Sequence, residues 1–348
     1  MTIKPELAEL DKIVVEKNGW AKLRLGAALL LKFPESSAPA RRRGFADCMR
    51  DYLEEMSETG LCTQTGSRLS RASKAKALDY IERKVDDDPD KDFEIGIVSE
   101  LDDPGHPEAT GVRVGGFVAT RTEEQSSRSR TLHIDDQPVA VGLTSGAGML
   151  GTIAFYNHAA WLVERQADYL VRLVLGWCNR LKPLQGHFGL GVQSQVYGMN
   201  YPTGAVEAFP LIRRYPGLTY GSDNLLNLQR NDALLTDPAS DGIWDINWLT
   251  AISDYYVQRS GALRQALADP GEAVTVHRYD GGVVLQAGDS PQSGDLDRNL
   301  IPPAYVEVER MIQSVRFTKI TSPFIACPPS VDALEVSHDY VDRFRRYL

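Results

Sequence analysis

The spacing of apolar residues along the chain predicts short strands alternating with amphipathic helices. Apolar residues alternate from Trp20 to Phe33, which is typical of a long strand. After a loop that contains Pro34 and Pro39, apolar residues recur at helical spacing through residues 45–56. Residues 151–182 show a similar order of strand and helix, so the sequence indicates two related strand–helix units.

The second half of the chain gives equally local signals. Asn157 is predicted to cap a helix that Pro183 ends, and the glycine-bearing residues 186–191 indicate a strand with close backbone packing. Asp245 is predicted to cap a further helix, because the apolar residues after it recur at helical spacing. A helix over Gly261–Ala268 and a hairpin that turns at Asp280 follow.

These elements predict an α+β fold, with antiparallel or mixed sheets and helices packed against them. At 348 residues the chain is long enough for about two domains. We therefore expect an N-terminal lobe at residues 1–140, a related C-terminal lobe at 141–318, and a tail at 319–348.

Composition indicates a soluble cytoplasmic protein. Apolar residues make up 43% and charged residues 24% of the chain, which is typical of a globular fold. The first twenty residues are charged throughout, so no secretory signal is predicted. The longest apolar run, residues 27–31, is far too short to span a bilayer. The four cysteines are scattered without a CxxC pair, which favours reduced thiols over disulfides or zinc.

The charge distribution suggests a contact with a basic partner. A net charge of −9 argues against nonspecific binding to nucleic acid, whose phosphates need a basic surface. Carboxylates cluster in two tracts. The first lacks the glycine of a tight metal-binding loop, so it is predicted to be a solvated loop or a contact for a basic protein. The second belongs to an acidic loop between two predicted strands. The first tract is Asp86, Asp87, Asp88 and Asp90, and the second is Glu100, Asp102 and Asp103.

A third charge pattern lies in the helix predicted over residues 45–56. Three arginines, at 41–43, precede it, and acidic residues lie at its end, so both groups oppose the helix dipole. Ion pairs within the protein or solvation are expected to compensate for them.

No motif predicts catalysis or a metal site. The six histidines never form an HxH, HxxxH or HExxH pair, and GxSxG is absent. Gly146, Gly148 and Gly151 match the GxGxxG pattern of dinucleotide-binding loops, and Asp168 lies near the required distance. However, the residues after Gly151 are strand-like, whereas that loop must open a helix. We therefore interpret the glycines as a hairpin connection, with cofactor binding as the alternative.

Five sequence blocks, in the same order along the chain, resemble the TsiV-like immunity proteins of bacterial type VI secretion systems. They are residues 23–33 with the helix after them, 173–191 (LVLGWCNRLKPLQGHFGLG), 213–218 (RRYPGL), 242–254 (GIWDINWLTAISD) and 277–291 (HRYDGGVVLQAGDSP). The resemblance extends through residues 304–317 and leaves both termini outside.

The resemblance implies a non-catalytic protein that binds and neutralises a co-encoded effector toxin, frequently a nuclease, by covering or distorting its active site. The shared blocks look like determinants of the fold, so toxin contacts are expected in the polar residues 60–135, including both acidic tracts. No cofactor, nucleic acid or membrane partner is implied. Two alternatives stay open: an oxidoreductase that uses the glycine loop, and a scaffold that binds a nontoxic protein.

Overall fold

A computed structural model describes most of the chain. The described residues are 5–10, 12–17, 20–34, 38–65, 68–86, 93–100, 112–118, 130–134, 137–141, 151–194, 205–220, 242–317, 320 and 323–348. The helices are α1 Pro5–Leu10, α2 Pro39–Glu55, α3 Lys74–Asp86, α4 Ala159–Glu164, α5 Ala167–Leu181, α6 Ala205–Arg214, α7 Asp254–Arg259, α8 Gly261–Ala268, α9 Pro303–Ile312 and α10 Ala333–Val341.

The strands are β1 Val14–Lys17, β2 Trp20–Phe33, β3 Cys62–Thr65, β4 Arg68–Arg71, β5 Phe93–Ser99, β6 Val112–Val118, β7 Arg130–Ile134, β8 Gln137–Val141, β9 Gly151–His158, β10 Gln185–Ser194, β11 Thr219–Tyr220, β12 Leu249–Ser253, β13 Val274–Tyr279 and β14 Gly282–Ala287. Twelve of these strands form one sheet, and β7 pairs only with β8 in a separate hairpin, as far as the described ranges extend. The α+β prediction is confirmed.

The sheet is ordered β13-β14-β12-β10-β2-β9-β6-β5-β3-β4, with β1 paired to β2 and β11 paired to β10. The β10–β11 pair is parallel and the others are antiparallel, so the sheet is mixed. Strand β2 lies near the centre, where it pairs along its length with β10 and β9. Its unbroken apolar run is buried, as expected for a strand covered on both faces.

The two predicted lobes share this sheet. Strand β2 of the first lobe lies between β10 and β9, which both belong to the second. The boundary predicted at residues 140/141 falls at the end of strand β8, before its last residue. The division into lobes stays a prediction. The two halves are hydrogen-bonded to each other, because β2 of the first half pairs with β9 and β10 of the second.

A row of aromatic rings joins the helices to one region of the sheet. Tyr52 of α2 stacks on Phe155 of β9 with ring centroids 4.4 Å apart. Trp177 of α5 meets the same ring edge-on at 5.5 Å. Phe188 of β10 lies between Phe155 and Trp248, at 5.6 and 5.9 Å. These contacts bury the apolar faces predicted for α2 and α5, and such rings contribute strongly to a core.

The glycines of β10 make the close approach that the sequence predicted. A Cβ atom at Gly186 would lie 2.6 Å from the carbonyl oxygen of Leu30. A Cβ atom at Gly189 would lie 1.9 Å from Oδ1 of Asn247. The side chain of Asn247 occupies that space and donates a 2.7 Å hydrogen bond to the carbonyl oxygen of Leu190.

Two helix predictions were wrong. Residues 249–253 form strand β12 rather than a helix capped by Asp245, because the segment is buried between β10 and β14. Asn157 belongs to strand β9, and the long helix predicted after it is divided into α4 and α5 near Arg165.

Candidate functional site

Arg42 and Arg43, near the start of α2, have partners within the protein, which is one of the two outcomes expected. Arg42 donates from Nη2 to the carbonyl oxygen of Val85 at 2.9 Å. Arg43 lies 2.6 Å from Oε2 of Glu82 and 3.4 Å from Oδ1 of Asp86. Hydrogen bonds from Arg50 and Arg43 lower the pKa of Glu82. The helix therefore begins against the carboxylates of α3, which compensate for its unfavourable dipole contacts.

The structure describes one residue of each acidic tract, Asp86 and Glu100. Asp86 is exposed at the end of α3 beside Arg43, and Glu100 directly follows strand β5. In sequence, the seven residues of β5 lie between the two tracts, and a strand of that length extends about 23 Å. Asp87, Asp88, Asp90, Asp102 and Asp103 lie outside the described residues. Partner contacts at the two tracts therefore stay a prediction.

Glu100 has a backbone conformation that is unusual for its residue type. Its φ angle is 61°, in the left-handed region, and its N–H donates to the carbonyl oxygen of Thr59 at 2.7 Å. Its Oε2 atom lies 2.6 Å from Nε2 of His158, at the start of α4. These contacts fix the residue from which the second acidic tract begins.

A buried polar cluster, which the sequence did not predict, joins the C-terminal residues to strands β10 and β11. We call it the Asp245 cluster: Asp245, Arg343, Thr219, Tyr340 and His187. Arg343 donates from Nη2 to Oδ1 of Asp245 at 2.5 Å. The hydroxyls of Thr219 and Tyr340 donate to Oδ2 at 2.6 and 2.7 Å. Nε2 of His187 lies 2.9 Å from the Thr219 hydroxyl oxygen. All five side chains are buried.

The electrostatics of the Asp245 cluster favour a fixed ion pair. Burial by itself raises the pKa of Asp245, but the charge of Arg343 and the hydrogen bonds lower it to about 2. Burial lowers the pKa of His187, which therefore stays neutral near pH 7. The Thr219 hydroxyl proton is directed at the carboxylate rather than at the histidine, so Thr219 is not arranged as a nucleophile activated by a base.

A second buried ion pair lies nearby. Nε of Arg316 lies 3.0 Å from Oε2 of Glu309, and neither side chain is exposed. Arg316 also donates at 2.6 Å to the carbonyl oxygens of Ile243 and Val341. The contacts of Arg343 with Asp245 and of Arg316 with the carbonyl oxygen of Ile243 attach the C-terminal residues to the rest of the fold. Arg343 lies far from every sequence block that suggested a function, so no local signal could have identified it.

The described residues contain no group of three or more side chains suited to hold a metal ion. In the same ranges, no helix is long and apolar enough to cross a membrane. A shallow pocket of about 330 Å³ lies between α3 and β3–β4, lined by charged side chains that include Arg71, Lys76, Asp79 and Arg83.

The glycine motif does not have the strand–turn–helix geometry of a dinucleotide loop where the structure describes it. Gly151 is the first residue of β9 and pairs with Phe33, and the chain continues as a strand rather than a helix. Gly146 and Gly148 lie outside the described residues. Asp168 lies in the first turn of α5, where a carboxylate is favourable for the helix dipole.

Fold and site together define an α+β protein whose buried polar groups support the tertiary structure. The sequence profile of the TsiV family, described as type VI immunity for VRR-NUC, matches residues 145–341, more than half of the chain. The chain belongs to the TsiV family.

Comparison of structures supports the same fold. The chain is similar to the type VI secretion system protein PA0821 of Pseudomonas aeruginosa, with a TM-score of 0.72 at 19% sequence identity. The similarity covers 97% of this chain and 89% of that protein. No curated protein sequence matches the chain.

Proposed function

We propose that this protein binds a nuclease effector of a type VI secretion system and neutralises it by direct contact, without chemistry of its own. The observation that carries the proposal is the family match over residues 145–341, with its description as immunity for VRR-NUC. A nuclease acts on nucleic acid inside the cell, so we place its inhibitor in the cytoplasm.

The internal arrangement supports a non-catalytic role. Two charged groups of the Asp245 cluster, Asp245 and Arg343, are buried and bonded to each other. Such groups hold a fold and cannot reach a substrate at the surface. Inhibition by occluding or distorting the effector's active site then needs only a complementary surface.

The acidic tracts are our proposed contacts. A nuclease must present a basic face to the phosphates of its substrate, and an acidic inhibitor is attracted to that face. The whole chain carries a net charge of −9, which favours steering of this kind. Since the seven residues of strand β5 lie between the tracts in sequence, we expect one of the tracts to dominate.

The first experiment is expression of the neighbouring gene's product in bacteria, with and without this protein. We expect the neighbour to arrest growth, this protein to restore it, and the two proteins to copurify. Restored growth without copurification would favour an enzyme that reverses the damage. A harmless neighbour, or toxicity that persists beside soluble protein, would refute immunity for that pair.

Charge reversal then tests each tract separately. One variant changes Asp87, Asp88 and Asp90 to lysine, leaving Asp86 in its ion pair with Arg43. The other changes Glu100, Asp102 and Asp103. The control reverses the exposed residues Glu54, Glu164 and Glu272, which alters net charge by the same amount.

We expect one tract variant to slow association with the effector by about tenfold or more at low salt, and the effect to shrink at high salt. The control reports the effect of net charge alone. If both tract variants associate as fast as the control, neither tract contacts the effector.

A further inference from the structure

The two edges of the twelve-stranded sheet differ in how well they are protected against pairing with another strand. Within the described ranges, the order of strands ends at β4 on one side and at β13 on the other. Strand β4 has four residues with an arginine at each end, Arg68 and Arg71, and short, charged edge strands resist pairing. Strand β13 has six residues that pair with β14 without a bulge or a proline, and its one charged residue is Arg278. Strand β13 is therefore the edge that remains open to a further strand.

Half of the backbone groups of β13 point away from β14. The N–H of Gly288 donates to the carbonyl oxygen of Ala273 at 2.9 Å, and bonded residues of an antiparallel pair alternate with outward-facing ones. Ala273 and every second residue after it therefore bond to β14, whereas Val274, Val276 and Arg278 direct their N–H and C=O groups outward. Among the described residues, these six groups have no hydrogen-bonding partner. Val276 is partly exposed and Arg278 is exposed, so another strand can reach this edge.

Strand β13 is complementary to a second copy of itself. When two β13 strands run antiparallel about a twofold axis at Val276, each Val276 lies opposite its own copy, and Val274 lies opposite the partner subunit's Arg278. These are the residues whose backbone groups point outward, so three residue pairs exchange two N–H···O bonds each. On the other face of the sheet, Thr275 lies opposite the partner subunit's His277. No like charges meet within the paired strands.

The charges beside β13 match in the same arrangement. Glu272 and Arg278 are exposed, and neither forms an ion pair within the described residues. Glu272 lies two residues before Val274, so it is the diagonal neighbour of the partner subunit's Arg278 on the same face, within reach of long side chains. The twofold axis repeats this contact, which gives two ion pairs between the subunits. Asp280 comes opposite the partner subunit's Glu272, but its carboxylate is already paired with Lys182. The edge is thus complementary to itself in charge as well as in hydrogen bonding.

We propose that β13 pairs antiparallel with β13 of a second copy, so that the two sheets become one continuous sheet across a dimer. Such an interface is isologous, because each subunit contributes the same strand and both members of the Glu272–Arg278 contact. A strand of the effector is not favoured as the occupant, since the charges of this edge are placed to meet each other through a twofold axis. The proposal goes beyond the immunity function and does not depend on it. Strand β5, which leads into the second acidic tract, lies near the other end of the strand order, so a dimer leaves that side of the sheet uncovered.

The length of the edge sets the strength expected of the dimer. Six residues of extended strand span about 20 Å. One strand pair of this length is smaller than the interface of roughly 800 Å² per partner that is standard for a stable complex. The dimer is therefore expected to be reversible, with a dissociation constant on the order of 10 µM, and to form as the protein is concentrated.

Sedimentation velocity of the full chain, from about 1 to about 500 µM, measures the dissociation constant of the dimer. The variant V276P removes the central N–H of the proposed ladder in both subunits, and proline is tolerated there because this N–H faces away from β14. The matched control is L69P, which removes an outward N–H from β4 at the opposite edge, since Ala72 bonds to Leu61 and the alternation leaves Leu69 facing outward. We expect V276P to weaken dimerisation by about tenfold or more and L69P to leave the dissociation constant within about threefold.

Charge exchange tests the twofold contact itself. E272R or R278E alone places like charges together at both ends of the interface, and each should weaken the dimer by about tenfold at low salt. The double variant E272R/R278E restores opposite charges and should return the dissociation constant to within about threefold of that of the unaltered protein. This rescue decides the outcome if V276P lowers the melting temperature.

A protein that stays monomeric up to about 500 µM would overturn the proposal, as would a dimer that V276P and both charge reversals leave unchanged. A dimer weakened by L69P and not by V276P would place the contact at β4 instead. Loss of effector binding in V276P, without a change in self-association, would assign this edge to the effector and refute the pairing of two copies. Because sedimentation uses this protein alone, its result is separate from the test of the immunity function.

Discussion

Replacing Asp245 with asparagine tests whether a buried ion pair holds the C-terminal residues on the sheet. The substitution keeps the size of the side chain but removes its charge and replaces one acceptor oxygen with an amide group that donates. Arg343, which is buried, would then lack an anionic partner at the 2.5 Å contact. The loss of a partner for a buried charge is among the larger effects that a single substitution has on stability.

The magnitude can be estimated in two ways. The pKa of Asp245 is lowered from 3.8 to about 2, and each pKa unit corresponds to about 1.4 kcal/mol, so ionisation contributes about 2 kcal/mol to the free energy of unfolding. Removing one partner of a buried pair typically costs about 3–5 kcal/mol. We expect Asp245→Asn to lower the free energy of unfolding by about 2–5 kcal/mol at pH 7.

The same pKa predicts the pH dependence. A carboxyl whose pKa is lower in the folded state stabilises the protein above the pKa of the unfolded chain, near 3.8. That contribution is lost as pH falls from about 4 to about 2. The difference in stability between the unaltered protein and Asp245→Asn should therefore shrink across this interval.

Urea denaturation followed by tryptophan fluorescence is a suitable assay, because Trp244 and Trp248 flank the ion pair in sequence and are buried. The matched control is Asp339→Asn, whose ion pair with Arg346 is exposed and should contribute less than about 1 kcal/mol. An Asp245→Asn protein as stable as this control would refute the reasoning. So would an unchanged difference in stability between pH 4 and pH 2.

Three further predictions concern the glycines, the β6–β9 connection and a buried histidine. Gly189→Ala should destabilise the protein by about 1–3 kcal/mol, because the added Cβ would meet Asn247. Gly176→Ala in α5, where the space is open, should stabilise the protein by about 0.5–1 kcal/mol. Equal urea midpoints for the two variants would contradict both expectations. Replacing residues 120–149 with a short turn should leave the melting temperature within a few degrees, because Phe117 and Thr152 are already paired across β6 and β9; an unfolded product on circular dichroism would show that the excised residues support the fold. Burial lowers the pKa of His187, so the contribution of this side chain to stability is present above about pH 6.5 and is lost as pH falls toward its folded pKa. His187→Gln should therefore flatten the curve of stability against pH just below pH 6.5. An unchanged slope in that interval would exclude His187 as the source of the pH dependence.

Local patterns were sufficient where one element decides its own structure. The alternation of Trp20–Phe33 and the helical spacing of the residues after it specify β2 and α2, and the turn at Asp280 specifies the β13–β14 hairpin. The glycines of β10 were correctly interpreted as sites of close approach. In each case the local sequence shows directly which face of the element is buried, or that the backbone there must pack without a side chain.

Strand β12 shows where local patterns fail. Its residues have helical spacing, but all five are buried between β10 and β14, and a strand covered on both faces needs no alternation. Only the neighbouring strands decide between the two structures. The same holds for Asp245, which resembles a helix cap in sequence and is instead the acceptor for an arginine 98 positions later.

The sequence by itself determined the fold class, the family and the absence of local catalytic motifs, because periodicity, composition and ordered blocks are properties of neighbouring residues. The tertiary structure decided which strands are neighbours and that Arg343 reaches Asp245. These are contacts between distant segments, and they depend on a chain geometry that no local pattern encodes.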